Sequence, residues 1–402
     1  VVDLNPARRL VELIGRDRRV VVGAMSGTSA DGVDVVVVEL DGHGRGIRWR
    51  VITQGVVPYD PELRRAVLRT SEGGSCRDVC VLNFAVGHYF ARAIAEVLEV
   101  RGVGVGEVDA VGSHGQTIYH MPEYVRVGGV RTRCTLQVGH SAVIAEDLGL
   151  PVVGDFRVRD VAAGGHGAPI IAYVDWALLS DARVGRLVQN IGGIANVTVL
   201  PAGAGLGDVY AFDTGPGNMV IDEAMRLLYG LDYDEGGSTA SQGSPDGRLL
   251  EELMRHPFVR APPPKTASRR EFGRRFVERV VRRGLSLGLR REDVVATLAT
   301  FVVRSIVYNY DRYILRRYRG RISEVVLGGG GARNRYLVRE LERELRERGL
   351  RLTTHEELGV DSKYKEALGM AVLAHETLSG IPNNVLGATG ARRRVVMGVV
   401  AL

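Results

Sequence analysis

The sequence predicts an α/β protein of two lobes, each a mixed sheet flanked by helices, closing on a central cleft. Two observations carry that expectation. Residues 19–57 and 187–212 both read as strand, Gly-rich turn, strand and third strand, so the organisation of the first half recurs in the second. A further strand, 325–327, stops at Gly328-Gly329-Gly330-Gly331 and gives way at once to a helix. At 402 residues the chain is also long for one domain. The expected lobes are residues 1–150 plus 381–402, and residues 151–380.

Residues 4–15 have the apolar spacing of a short amphipathic helix. Residues 21–40, VVGAMSGTSADGVDVVVVEL, place two apolar, β-branched runs about a turn holding Ser26, Gly27, Thr28, Ser29, Asp31 and Gly32. Small residues let the backbone approach a ligand there, and N–H and O–H groups donate to oxyanions, as in a phosphate cradle. Taken alone, the stretch is also an ordinary Gly-rich hairpin. Asp31 and Asp34 offer a metal-directed carboxylate. Residues 47–57 are a third strand, and 61–70 and 79–100 are helices, the first with Pro near its start. Residues 108–112 form a short strand ending in Ser113-His114-Gly115-Gln116-Thr117, polar residues well placed for a site. A helix over 141–148 and a strand over 151–154 follow. Next comes the densest polar constellation of the chain, Asp155-Phe156-Arg157-Val158-Arg159-Asp160, running into the Gly-rich turn 162–169. It reads as a site or as a salt-bridged turn.

In the second half, strands 187–191 and 194–200 flank Gly192-Gly193. Strand 209–212 leads into Asp213-Thr214-Gly215-Pro216-Gly217-Asn218 and a helix over 219–229. Residues 236–243 and 261–266 are loops, the second stiffened by Pro262-Pro263-Pro264 before Lys265. Helices cover 270–288, 291–319, 334–348 and 361–380. The tail 392–402 ends in a strand-like run expected to pack back on the first lobe. The turns 27–32, 213–218 and 328–334 each follow a strand, and together they favour a nucleotide phosphate site between lobes. None matches G-x-x-x-x-G-K-[ST], nor G-x-G-x-x-G opening a βαβ unit, which disfavours a P-loop NTPase and a dinucleotide dehydrogenase.

The net charge of +6 raises nucleic acid as a partner. Its carriers are nearly all Arg, spread along helices with Glu interleaved, which describes a solvated face, so no nucleic-acid partner is expected. No apolar run is long enough for a membrane span and the N-terminal stretch lacks a signal-peptide core, so no membrane partner and a cytoplasmic location are expected. Cys76, Cys80 and Cys134 are too sparse for a disulfide framework and lack clustered partners for a metal.

GAMSGTSADGVD, GSHGQTIYHMP, DFRVRDVAAGGHGAP, QNIGGIANVT, AFDTGPGN, GGGGARN and DSKYKEALGMAVLA resemble the anhydro-N-acetylmuramic acid kinases, in that family's order and over nearly the whole chain. The resemblance implies an actin/hexokinase/Hsp70-like two-lobe fold, often homodimeric, with ATP, Mg²⁺ and a 1,6-anhydro sugar as reactants. The expected reaction opens 1,6-anhydro-N-acetylmuramic acid hydrolytically and phosphorylates O6, giving N-acetylmuramic acid 6-phosphate and ADP in murein recycling. It implies Asp160 as the base that activates water, with Asp155 the runner-up, more suited to orienting Arg157 or the turn. Ser26, Gly27, Thr28 and Ser29 would hold the terminal phosphates from one lobe, and Asp213, Thr214, Gly215, Gly217 and Asn218 from the other. Asp31 or Asp213 would steer Mg²⁺, and Gly328, Gly329, Gly330 and Asn334 would line the adenosine end. His114, Gln116, Thr117, His120, Asp155 and Arg157 are the sugar-side residues, joined by Lys265 and Glu271. The last two sit in Lys265-Thr266-Ala267-Ser268-Arg269-Arg270-Glu271, one residue longer than the family's K-[ST]-T-G-R-E and without its Gly. That departure keeps a levoglucosan-type kinase as the alternative enzyme. A non-catalytic, nucleotide-gated binding protein of the same fold is the alternative outside enzymes.

Overall fold

The computed structural model describes residues 6–27 and 29–402. Thr28, expected in the first phosphate turn, lies outside the described residues, as does the start of the expected helix 4–15, which is seen as Pro6–Ile14. The chain is α/β with two mixed sheets, and it divides into two units, Val1–Leu178 with Lys363–Leu402, and Leu179–Ser362.

In the first unit, β1 (Arg18–Ser26), β2 (Gly32–Asp41) and β3 (Arg48–Pro58) form an antiparallel meander. β4 (Ala110–Val127) lies parallel to β1 on its other side, and β6 (Val152–Gly154) parallel to β4. β5 (Val130–Val138) returns antiparallel along β4. The C-terminal β12 (Val399–Ala401) pairs antiparallel with β6, so the tail packs on the first sheet as expected. In the second unit, β7 (Arg186–Ile191), β8 (Ile194–Leu200) and β9 (Tyr210–Pro216) form another meander. β10 (Glu324–Gly328) runs parallel to β7, and β11 (Arg351–Thr354) parallel to β10. The orders β3-β2-β1-β4-β6 and β9-β8-β7-β10-β11 share one plan, so the duplication read from the sequence is topological.

Val21 and Val22 of β1 and the valines of β2 are buried on both faces, as strands covered by helices on both sides must be. Gly23 and Gly112 are register partners across β1 and β4. A Cβ at Gly23 would stand 1.8 Å from the Ala367 carbonyl oxygen, and one at Gly112 2.2 Å from that of Met370. The backbone of helix Lys365–Leu378 therefore rests directly on this sheet. That contact puts the helix in the first unit. The units consequently divide near 178 and 363, where the sequence reading drew lines at 150 and 381.

Other elements differ from expectation. The strand expected to stop at 112 continues to Val127, with Gly115 at φ 66°, and turns at Gly128-Gly129 into β5. The 155–160 segment is a short helix, Phe156–Ala162, because Asp155 adopts a left-handed conformation that turns the chain out of β6. The loop expected at 236–243 contains a helical turn, Ser238–Gln242. The helix expected over 270–288 breaks at Gly273, and that over 291–319 is α-helical to Asn309 and π-helical over Tyr310–Leu315.

Candidate active site

In the first unit the β1 turn is held from below. Ser26, 2% exposed, donates its hydroxyl to Gln116 Oε1 at 2.6 Å, and Gln116 Nε2 donates to the Gly27 carbonyl at 3.1 Å. Gln116, expected on the sugar side, thus fastens the end of β1 to β4. Ser29 and Asp31 are exposed. The Arg64 guanidinium lies 3.2 Å from the Asp31 carboxylate and donates to the Ser29 carbonyl at 3.3 Å.

A polar cluster lies along β4 and helix Phe156–Ala162. Arg157 donates Nε–H to His114 Nε2 at 2.9 Å and Nη1 to the Gly167 carbonyl at 3.0 Å. His114 therefore accepts at Nε2 and carries its proton on Nδ1, 3.1 Å from the Gly115 carbonyl. Burial, helped by the Arg157 charge, pulls His114 down to about 3. Burial lowers Arg157 to about 10 and, first among several causes, His120 to about 4. His120 Nδ1 lies 3.1 Å from Thr135 Oγ1, and Thr117 Oγ1 accepts from Gln137 Nε2 at 3.1 Å.

Asp160 is fully buried. Its Oδ1 accepts from Asn384 Nδ2 at 2.9 Å and Thr389 Oγ1 at 2.8 Å, and its Oδ2 from the Gly167 N–H at 2.9 Å. A Cβ at Gly165 would lie 2.1 Å from Oδ2, so only glycine fits there. The carboxylate is the hub that folds the 162–169 turn back on its helix. Asp155, by contrast, is exposed, makes no side-chain cap bond, and lines a cavity of about 310 Å³ with Ser113, His114, His140 and Ser141. Desolvation raises its carboxyl.

Sequence reasoning missed Glu366. It is solvent-accessible at the start of helix Lys365–Leu378, desolvation raises its carboxyl, and the Lys365 and Arg157 charges oppose that rise. Its place in the quoted DSKYKEALGMAVLA motif was the available signal. The neighbouring Lys365 anchors this turn on Asp175 at 2.6 Å.

In the second unit two expected turns meet at the end of β7. The N–H groups of Gly217 and Asn218 donate to the Gly193 and Gly192 carbonyls at 3.0 and 2.7 Å, and Asn218 Nδ2 to the Ile191 carbonyl at 3.2 Å. Gly329, at φ 80°, packs so tightly that its Cβ would stand 2.5 Å from Asn190 Oδ1. Gly330 is exposed beside Asn218, while Gly328 is buried against His355. The Gly192-Gly193 turn joins this group; its position in the repeated strand–turn–strand pattern was the signal. Thr214 is fully buried, with Oγ1 donating to the Ala195 carbonyl at 3.1 Å.

Asp213 accepts from the Ala267 N–H at 2.7 Å, and burial raises its carboxyl to about 7. Lys265 Nζ donates to the Phe258 and Val259 carbonyls, both at 3.0 Å, and burial lowers it to about 8. Glu271 closes a capping box on Ser268, and Asn334 Oδ1 caps helix Arg335–Arg346 through the Tyr336 and Leu337 N–H groups. These side chains shape loops and helix ends within the unit.

Among the described residues no helix is long and apolar enough to cross a membrane. Residues 19–402 match the family model for anhydro-N-acetylmuramic acid kinase. An anhydro-N-acetylmuramic acid kinase of Caldanaerobacter subterraneus subsp. tengcongensis is 41% identical over 398 residues, 98% of this chain and 100% of that one. One of Bacillus thuringiensis subsp. konkukian is 41% identical over 380 residues, 94% of this chain and 98% of that one. Among solved structures, the Acidaminococcus fermentans (R)-2-hydroxyglutaryl-CoA dehydratase component A is 14% identical with a TM-score of 0.45, covering 89% of this chain and 98% of that one.

Proposed function

The chain belongs to the anhydro-N-acetylmuramic acid kinase family, and on that premise we propose that it opens 1,6-anhydro-N-acetylmuramic acid with water and phosphorylates O6 from ATP, yielding N-acetylmuramic acid 6-phosphate and ADP. The observation that carries this reading is the near-full-length likeness to kinases of that name. Its place is murein recycling, its reactants are small molecules, and its compartment is the cytoplasm, where ATP is supplied. It works as a homodimer, which light scattering of the purified protein tests.

Water attacking the anomeric carbon needs a base. Asp160 is assigned that role: three donors fix its carboxylate, and Oδ2, which accepts only one of them, keeps acceptor capacity for a proton from water. A glycosidase needs a second carboxylic acid to protonate the leaving oxygen. Here the released O6 attacks the γ-phosphoryl group instead, so one carboxylate suffices. Asp155 is the second reading for the base, favoured by its exposure on the cavity beside His114. Arg157, backed by His114, is assigned to hydrogen-bond the sugar, with His120 and Thr117 as further sugar-side residues.

Phosphoryl transfer depends on placement and charge neutralisation. For phosphate oxygens the first unit offers the Gly27 and Ser29 backbone; the second offers the Thr214-Gly215 backbone and the Asn218 amide, since the Gly217 and Asn218 N–H groups already serve the Gly193 and Gly192 carbonyls, and its Gly328–Gly330 edge is assigned to the adenosine. Mg²⁺ would fit Asp213, a hard oxygen donor whose burial outweighs the Ala267 N–H and the Lys265 charge, better than Asp31, which already pairs with Arg64. When bound, the ion neutralises phosphate charge.

The test is ADP release with 1,6-anhydro-N-acetylmuramic acid, levoglucosan and N-acetylmuramic acid, for the wild type, Asp160→Asn and Asp155→Asn. Turnover of the first sugar alone, lost in Asp160→Asn, is expected. Preference for levoglucosan would overturn the substrate, and loss only in Asp155→Asn would move the base.

A further inference from the structure

We infer that Asn309 and Tyr310 are positioning residues for the 213–218 turn, setting its phosphate grip from behind without touching the nucleotide. The inference rests on the reading of that turn as phosphate-binding. Helix Arg291–Asn309 ends beneath the turn, and Ser305 and Asn309 are both fully buried. Asn309 Nδ2 donates to the Thr214 carbonyl at 2.8 Å and to the Ser305 carbonyl at 2.7 Å. The next residue, Tyr310, donates its hydroxyl to Gln189 Oε1 at 2.8 Å. Gln189 Nε2 in turn lies 3.4 Å from Thr214 Oγ1 and 3.1 Å from the Asn190 carbonyl. Thr214 is thereby held at its carbonyl by one residue and at its hydroxyl through the other.

Adjacent residues of an α-helix point about 100° apart, yet these two address neighbouring parts of one sheet. The chain passes at this point into the π-helical segment Tyr310–Leu315, a rare geometry that recurs at functional sites. The packing leaves no slack. Gly215 has φ 149°, and a Cβ there would stand 2.5 Å from Ser305 Oγ. Asn309 Oδ1 is buried without a partner. That orphaned acceptor is a cost set against the two hydrogen bonds that the amide N–H₂ makes. What the amide supplies is direction: two carbonyls demand its N–H₂, and one of them belongs to the turn.

The experiment compares Tyr310→Phe and Asn309→Ser with the wild type, measuring KM for ATP, KM for the anhydrosugar, kcat, ADP affinity by calorimetry, amide hydrogen exchange and thermal unfolding. Tyr310→Phe and Asn309→Ser are expected to raise KM for ATP about tenfold or more and weaken ADP comparably, leaving KM for the sugar unchanged. Lower melting temperatures with unaltered ATP and ADP parameters would make both residues merely structural and overturn the inference. If Asn309→Ser fails to fold, Tyr310→Phe, which removes one hydroxyl, decides. If ADP gives the 213–218 amides no protection from hydrogen exchange in the wild type, the phosphate role of the turn has failed; if it protects them while Tyr310→Phe and Asn309→Ser bind ADP normally, only the positioning inference has.

Discussion

Arg157 and His114 form a buried pair whose protonation is set by geometry. The guanidinium Nε–H, always present, points at His114 Nε2 from 2.9 Å, so the imidazole stays neutral with its proton on Nδ1. With His114 lowered to about 3 and Arg157 at about 10, the pair holds one positive charge across the assay range. That charge sits on a planar donor suited to sugar oxygens, and the histidine serves as its rest.

This pairing makes stability depend on acid. Between about pH 3 and 6.5 the unfolded chain takes up a proton on His114 that the folded chain refuses, so stability rises with pH across that window. Replacing His114 by Gln should flatten that part of the curve, as measured by chemical denaturation at pH 4, 5 and 6.5. An unchanged slope would show that the imidazole titrates normally.

Asp213 has the opposite sign. Its carboxyl is raised from 3.8 to about 7, so the folded state holds a proton that the unfolded state releases, and stability falls as pH rises between those values. Asp213→Asn should remove the fall. Turnover should rise through about pH 7 at low Mg²⁺, and its midpoint should move to lower pH with excess Mg²⁺, because a cation favours the ionised form. Midpoints independent of Mg²⁺ would separate Asp213 from the metal.

Asp160→Asn should destabilise as well as inactivate. An amide offers one acceptor where the carboxylate serves three donors, and its N–H₂ would face a donor. The expected loss is about 1–3 kcal/mol for each donor left unsatisfied, read from urea unfolding. Thr389→Val, which deletes one donor and keeps the carboxylate, should lose about 1 kcal/mol and retain turnover. Inactivity of Thr389→Val with normal stability would show that the hydroxyl, too, serves the chemistry.

Gly112→Ala should be severe although it adds a single methyl group. The Met370 carbonyl occupies that space, and both strand and helix are held by their neighbours. Overpacking of this kind costs about 1–3 kcal/mol or more, visible as a lowered melting temperature. Gly207→Ala, at an open position, is the control expected to change little.

The sequence by itself determined the alternation of strands and glycine turns, the recurrence of that pattern and the order of the motifs. Apolar runs, glycine punctuation and caps are local, and β1, β2, β7 and helix Ser141–Leu148 formed where they indicated. The β4–β5 hairpin was missed although Gly128-Gly129 and the alternation of Val130, Cys134, Leu136 and Val138 with polar residues marked it, because Gly115 and Pro122 interrupt the β4 run. Only the tertiary structure decided what each polar side chain is used for. Gln116 meets Ser26 across 90 positions of chain, and Asp160 meets Asn384 across 224. Lys265 and Asn334 turned inward to carbonyls and a helix end, whereas Glu366 stayed accessible. A side chain's chemistry is written in its residue type, but its partners depend on which strands pair and which helix lies across them. Those choices are made by burial and register over the whole sheet.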